Sequence, residues 1–287
     1  MLNQSTCSRV LVRSEAVEEQ GEAKTIVLTF VAVLVAALLG YLAWIGFLKP
    51  DETQSADAVG TIVVDLTGSS NSDVVRTKYQ ELGNTAIDDF VANQSLVSIS
   101  YFNNSGAKLA SVSNENYPLF LAATDGPEVT PQEQLDENVE AARSTLATTL
   151  KLSAGKGRYS DIITALDQAA IAVQSKASAE DISRKYIIIF TDGLQNATEL
   201  NVVNAAKKDS FDASKQVARA KAIGRLADLE GVTVYFAGVN RGVSATGSQK
   251  SAVLENRIEE FWTEYVEAGG GTLGGYTNEY TQFMGAK

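Results

Sequence analysis

Two periodicities alternate along most of the chain. "VGTIVVD" (59–65) is a continuous apolar run, the pattern of a strand buried on both faces of a parallel sheet. Val75, Tyr79, Leu82, Ala86 and Phe90 then recur at three- and four-residue spacing, which predicts a helix over 73–91. "SLVSISYF" (95–102) predicts a second strand, and "AKLASVS" (107–113) can pair with it as a hairpin across "NNSG". Residues 114–131 carry Pro118, Pro127 and Pro131 and read as an inserted irregular loop. Helices are predicted through Leu135–Leu150 and from Ile162 to about Val173, followed by the apolar strand "KYIIIFTDG" (185–193). A helix over 212–229, a strand over 231–239, a helix over 251–270 and a short strand near 271–276 complete the pattern. This alternation predicts an α/β domain with a doubly wound, mostly parallel sheet flanked by helices, spanning 59–287.

The N-terminal part follows another rule. Between Lys24 and Lys49 lie 24 residues without a charge, enough for one helical crossing of a bilayer core. Tyr41 and Trp44 stand near one end, where aromatic rings favour the interface. The stretch exceeds the roughly 7–15 apolar residues of a signal peptide, and no small-x-small cleavage site follows it directly. The expectation is a tail over 1–24, a transmembrane helix over 25–48 and a polar linker over 49–58. Arg9, Arg13 and Lys24 precede the span and Lys49 follows it, so the positive-inside rule places the N-terminus in the cytoplasm and the C-terminal domain outside it.

Composition narrows the chemistry. The chain has no histidine, which excludes His-dependent triads and His-ligated zinc or haem. Its single cysteine, Cys7, permits neither an internal disulfide nor a thiolate cluster. The net charge of −11 argues against nucleic acid as a partner. Nearly all of the acid lies beyond residue 50, so the larger part should be soluble and should attract cations.

Both strongly apolar strands end in aspartate. Ligands of open α/β sheets bind at the carboxyl ends of strands, and three loops can converge there. The first, "DLTGS", supplies Asp65, Thr67 and Ser69; the second, "YSDIITAL", supplies Ser160 just before a helix; the third, "FTDG", supplies Asp192. Two carboxylates with several hydroxyls suit a hard divalent cation, Mg²⁺ foremost, with Mn²⁺ or Ca²⁺ as alternatives. Asp161, Gly68 and Gly193 are supporting positions. A lone aspartate after a strand serves more often as a cap or turn residue; it is the joint occurrence of these oxygens on three loops that points to a cation.

These motifs resemble the von Willebrand factor A domain with its metal-ion-dependent adhesion site. "DLTGS" is similar to that family's Asp-x-Ser-x-Ser motif, with Thr67 keeping the middle hydroxyl; Ser160 stands in place of the second-loop threonine and Asp192 matches the third-loop aspartate. The resemblance covers roughly 59–285. It implies cation binding at these residues and adhesion to a protein partner that can offer the ion a carboxylate. Two other readings stay open: a fold of this kind that has lost its metal, and an Mg²⁺-dependent phosphohydrolase. For the latter, "DLTGS" is also similar to the "DKTGT" motif of P-type pumps and aspartyl phosphatases, in which Asp65 would be the nucleophile. Against it, Leu66 stands where the pumps need lysine, and Thr67 stands where the phosphatases need a second acid. No nucleophile–base pair is evident, and no enzymatic activity is expected. "NQS" (93–95), "NNS" (103–105) and "NAT" (196–198) match glycosylation acceptors, a short pattern that arises often by chance.

Overall fold

The computed structural model describes residues 55–68, 72–103, 109–110, 116–121, 129–152, 159–239 and 249–278. Six strands form one sheet in the order β3-β2-β1-β4-β5-β6. They are β1 (Ala58–Asp65), β2 (Ser95–Phe102), β3 (Tyr117–Leu119), β4 (Arg184–Phe190), β5 (Val232–Ala237) and β6 (Thr272–Thr277). Every pairing is parallel except β3, which runs antiparallel along the first half of β2. The helices are α1 (Asp73–Ala92), α2 (Pro131–Lys151), α3 (Ile162–Ala179), α4 (Val202–Ala206), α5 (Ala213–Ala222) and α6 (Gln249–Ala268). The predicted doubly wound α/β architecture is therefore present.

The continuous apolar runs divide by alternation. Val63, Ile187, Ile189, Val234 and Phe236 point to the face covered by α3, α5 and α6, where Trp262, Phe261 and Tyr265 fill the core. Ile62, Val64, Ile188, Phe190 and Tyr235 point to the other face, against α1 and α2. Two hydrophobic layers sandwich the sheet, which is why β1 and β4 show no polar face. The helices on the second face approach closely at Gly83, where an added Cβ would lie 2.2 Å from Leu146 Cδ2.

Helix boundaries follow local chemistry. Ser72 caps α1, its hydroxyl accepting from the Val75 N–H. Thr130 and Glu133 form a reciprocal capping box at α2, with Pro131 in the first turn. The predicted helix over 212–229 is shorter: α5 stops at Ala222, where Gly224 takes φ +69° and the Arg225 N–H returns to the Ala220 carbonyl. The apolar residues beyond it, Ala227 and Leu229, enter the core from a loop instead.

The stretch read as irregular over 114–131 contains β3, an edge strand in which Pro118 is tolerated. Of the hairpin expected over 107–113, the described part is Leu109 and Ala110, and Ala110 exchanges two backbone hydrogen bonds with Tyr101. Strand β6 appears where the glycine-rich "GTLGGY" was expected to form one; Gly274 leaves room for the Tyr235 ring, 2.3 Å from where a Cβ would stand. The predicted tail and membrane span over 1–48, and most of the linker over 49–58, lie outside the described residues. Among the described residues, no helix is long and apolar enough to cross a membrane.

Candidate metal centre

Parallel pairing of β1 with β4 in register, from Ala58↔Arg184 to Val64↔Phe190, brings both strand ends to one edge. Asp65 is the last residue of β1, and Thr191-Asp192-Gly193 continue directly from β4. Asp65, Thr67, Ser160 and Asp192 are all at most 5% exposed. They sit under the sheet's carboxyl edge rather than on an open surface.

Each residue is oriented by named partners. Asp65 Oδ1 accepts from the Thr67 N–H at 2.9 Å, and Asp65 Oδ2 accepts from the Thr191 hydroxyl at 2.8 Å. The Thr67 and Ser160 hydroxyls lie 2.8 Å apart and share one hydrogen bond. Asp192 Oδ1 accepts from the Leu194 N–H at 3.0 Å, the short loop of an Asx turn. Gly193 adopts φ +76°; an added Cβ would meet the Tyr276 hydroxyl at 2.4 Å, so both backbone and space demand glycine. Its carbonyl accepts from Trp262 Nε1 at 2.9 Å, tying the loop to α6.

Burial, and then the charge of Asp192, push the Asp65 carboxyl up from its ordinary range to about 7. The opposing influences are hydrogen bonds from Thr67 and Thr191, not a basic side chain. Two buried carboxylates close enough to disfavour each other's charge, with the paired Thr67 and Ser160 hydroxyls at the same edge, form a donor set that a small divalent cation would satisfy. Among the described residues no three His, Cys, Asp or Glu side chains gather into a group, so hydroxyls would carry as much of the coordination as carboxylates.

Thus Asp65, Thr67, Ser160 and Asp192 occupy one edge of the sheet. Ser69 lies outside the described residues, and Gly68 is exposed beside it. Asp161 is engaged elsewhere. It caps α3 through the Thr164 N–H and hydroxyl, and both its oxygens accept from Arg225 Nη2 at 2.6 and 2.7 Å. Burial pushes its carboxyl up, but Arg225 and Thr164 outweigh this and hold it below the ordinary range. Its role in this arrangement is to fix the start of α3 immediately after Ser160.

Three contributors escaped the sequence reading: Thr191, Gln195 and Asn196. Thr191 stands in the quoted "FTDG", and a hydroxyl directly ahead of the aspartate was the available signal. Gln195 and Asn196 follow the turn as uncharged amides, which carry no signature of their own in one sequence.

No protein-family model matches the chain, and no curated protein matches it. Among solved structures, the chain is similar to the open conformation of the pilus adhesin SpaC from Lactobacillus rhamnosus GG, at 13% identity and a TM-score of 0.34. That match covers 75% of this chain and 31% of the adhesin, so the chain spans under a third of the adhesin's length. The SpRpn10 VWA domain is similar over 79% of this chain and 91% of its own, at 8% identity and a TM-score of 0.37. The α/β assignment itself rests on the strand order and pairings described above.

Proposed function

We propose that residues 59–287 act as a von Willebrand factor A-like interaction domain that binds a protein partner through a divalent cation. The observation that carries this reading is the meeting of Asp65 and Asp192 at adjacent strand ends with the Thr67 and Ser160 hydroxyls 2.8 Å apart. Asp65, Thr67, Ser160 and Asp192 would hold the ion, with Ser69 as a further hydroxyl from the first loop. Mg²⁺ fits this oxygen set best, with Mn²⁺ and Ca²⁺ as alternatives. Once bound, the ion would supply an electrophilic anchor for a carboxylate of the partner.

The protein's own part is to hold those oxygens in place. Thr191 and the Thr67 N–H orient Asp65, the Asx turn at Leu194 orients Asp192, and α6 braces Gly193. The reading has no chemical step, and the domain is proposed to be a binding module rather than an enzyme. The uncharged stretch over 25–48 supports attachment to a membrane by a single span, with the domain on the extracytoplasmic side.

The test is capture of partners from surface extracts by the full-length chain, run in Mg²⁺ and in EDTA. Asp192→Ala serves as the control. Capture that needs Mg²⁺ and is lost in the variant is expected. Capture that is equal in EDTA, or peptidase or esterase turnover that is abolished by changing Asp65, would sink the proposal.

A further inference from the structure

Ser160 is the ligand that must travel furthest to reach the site. Thr67 and Asp192 follow their strand ends within two residues, whereas Ser160 arrives on a loop ahead of α3. Two consecutive amides of "TDGLQN" hold it. The Ser160 N–H donates to Asn196 Oδ1 at 2.5 Å, and the Ser160 carbonyl accepts from the Asn196 N–H at 3.2 Å. The Asn196 carbonyl is taken in turn by Asn201 Nδ2 at 3.2 Å, so Asn196 cannot shift without breaking three bonds. Beside it Gln195 is fully buried. Gln195 Oε1 accepts from the Ile163 N–H, while its Nε2 donates to Asp161 Oδ1 and the Leu200 carbonyl. Residues 160, 161 and 163 are thereby fixed from the same loop that carries Asp192.

We propose that Asn196 is the positioning residue of the cation site. It locks the loop of Ser160 to the loop of Asp192, so that the second-loop hydroxyl faces Thr67 before any ion arrives. The inference rests on the cation reading above and extends it to a residue that touches no ion. A ligand arm ordered in advance leaves less conformational entropy to be lost on binding. Partners that orient ligands typically cost 10–100-fold in metal affinity when removed. The same geometry gives the "NAT" pattern at 196–198 a structural role, because its asparagine oxygen is already engaged with Ser160.

The experiment is Mg²⁺ calorimetry on the full-length chain in detergent, for wild type, Asn196→Ala, Asn196→Asp, Ser160→Ala and the Asn196→Ala/Ser160→Ala double variant. Asn196→Ala should weaken Mg²⁺ by about 10–100-fold. Asn196→Asp, which keeps the acceptor oxygen, should recover most of the loss. In the Ser160→Ala background the Asn196 change should add little, because both act through one hydroxyl. Unchanged affinity in Asn196→Ala, or fully additive losses in the double variant, overturns the proposal while leaving the cation reading intact. Wild type that takes up no Mg²⁺ overturns both, and that outcome is recognised before any variant is made. Amide exchange gives a readout independent of metal and of variant folding: the Ser160 N–H should be protected in the apo wild type, and an unprotected amide there also overturns the proposal.

Discussion

Replacing Asp65 by Asn tests the electrostatic argument quantitatively. In the folded apo domain the Asp65 carboxyl titrates near 7, against an ordinary value of 3.8. Below about pH 4 both folded and unfolded chains hold the proton, and the group costs nothing. Between about 4 and 7 the unfolded chain releases its proton while the folded chain keeps it, so stability falls as pH rises; above 7 the loss is complete. A gap of about three units at ~1.36 kcal/mol each gives an upper figure of ~4 kcal/mol. Asn carries no such penalty, but its NH₂ cannot accept the hydrogen bond that one carboxylate oxygen takes from Thr67 or Thr191, a cost of about 1 kcal/mol.

The apo Asp65→Asn variant should therefore be about as stable as wild type at pH 4.5, where the ~1 kcal/mol already lost by the carboxyl offsets the missing hydrogen bond, and more stable by ~2–3 kcal/mol at pH 8. At about 2–4 °C per kcal/mol for a domain of this size, the pH 8 gain is several degrees in Tm. Mg²⁺ at 100 times its Kd should then stabilise wild type by about 2.7 kcal/mol and leave the variant unmoved. Thermal melts in EDTA and in Mg²⁺ at both pH values decide it. A wild-type-to-variant difference that is the same at pH 4.5 and pH 8 in EDTA would refute the burial argument. An equal Mg²⁺ response in both proteins would refute the placement of the site.

Three further outcomes are expected. Arg225→Ala leaves the buried Asp161 carboxylate without the guanidinium that donates to both its oxygens and should cost about 3 kcal/mol at pH 7 by denaturant titration. Because the Asp161 carboxyl is held low, that contribution is present above about pH 4 and should vanish as pH falls through its folded value. Gly83→Val should cost about 1–3 kcal/mol, since even a Cβ meets Leu146 across the α1–α2 contact; an unchanged denaturation midpoint would mean the two helices separate easily. A reporter fused after Lys287 should sit outside the cytoplasm, and a cytoplasmic signal would reverse the proposed orientation.

The parts of the fold legible in the sequence are those whose burial leaves a one-residue signature. β1 and β4 are covered on both faces, so "TIVVD" and "YIIIF" read as strands without context, and the aspartates ending β1 and following β4 marked the edge. β3 was missed because three residues containing Pro118 show no periodicity and pair only through β2. The end of α5 was overrun because Leu226, Ala227 and Leu229 continue an apolar pattern that the chain satisfies from a loop after Gly224. At the site, acids and hydroxyls drew attention through their chemistry. The contributions of Thr191, Gln195 and Asn196 depend on long-range contacts, and Asp161 stood out as acidic although Arg225 has claimed it.

The neighbouring of β1 and β4 also sets a condition on when the site can exist. The Asp65–Thr191 hydrogen bond closes a span of 126 residues. During synthesis β1 is made early and remains without its β4 partner until more than half of the domain has followed. Closing so long a loop precedes any reward from the contacts it brings. A divalent cation would then have no complete site on a nascent or truncated chain, and its binding energy would be available only to the finished sheet. Cation uptake would thus act as a checkpoint on assembly, favouring the finished domain over every partial product.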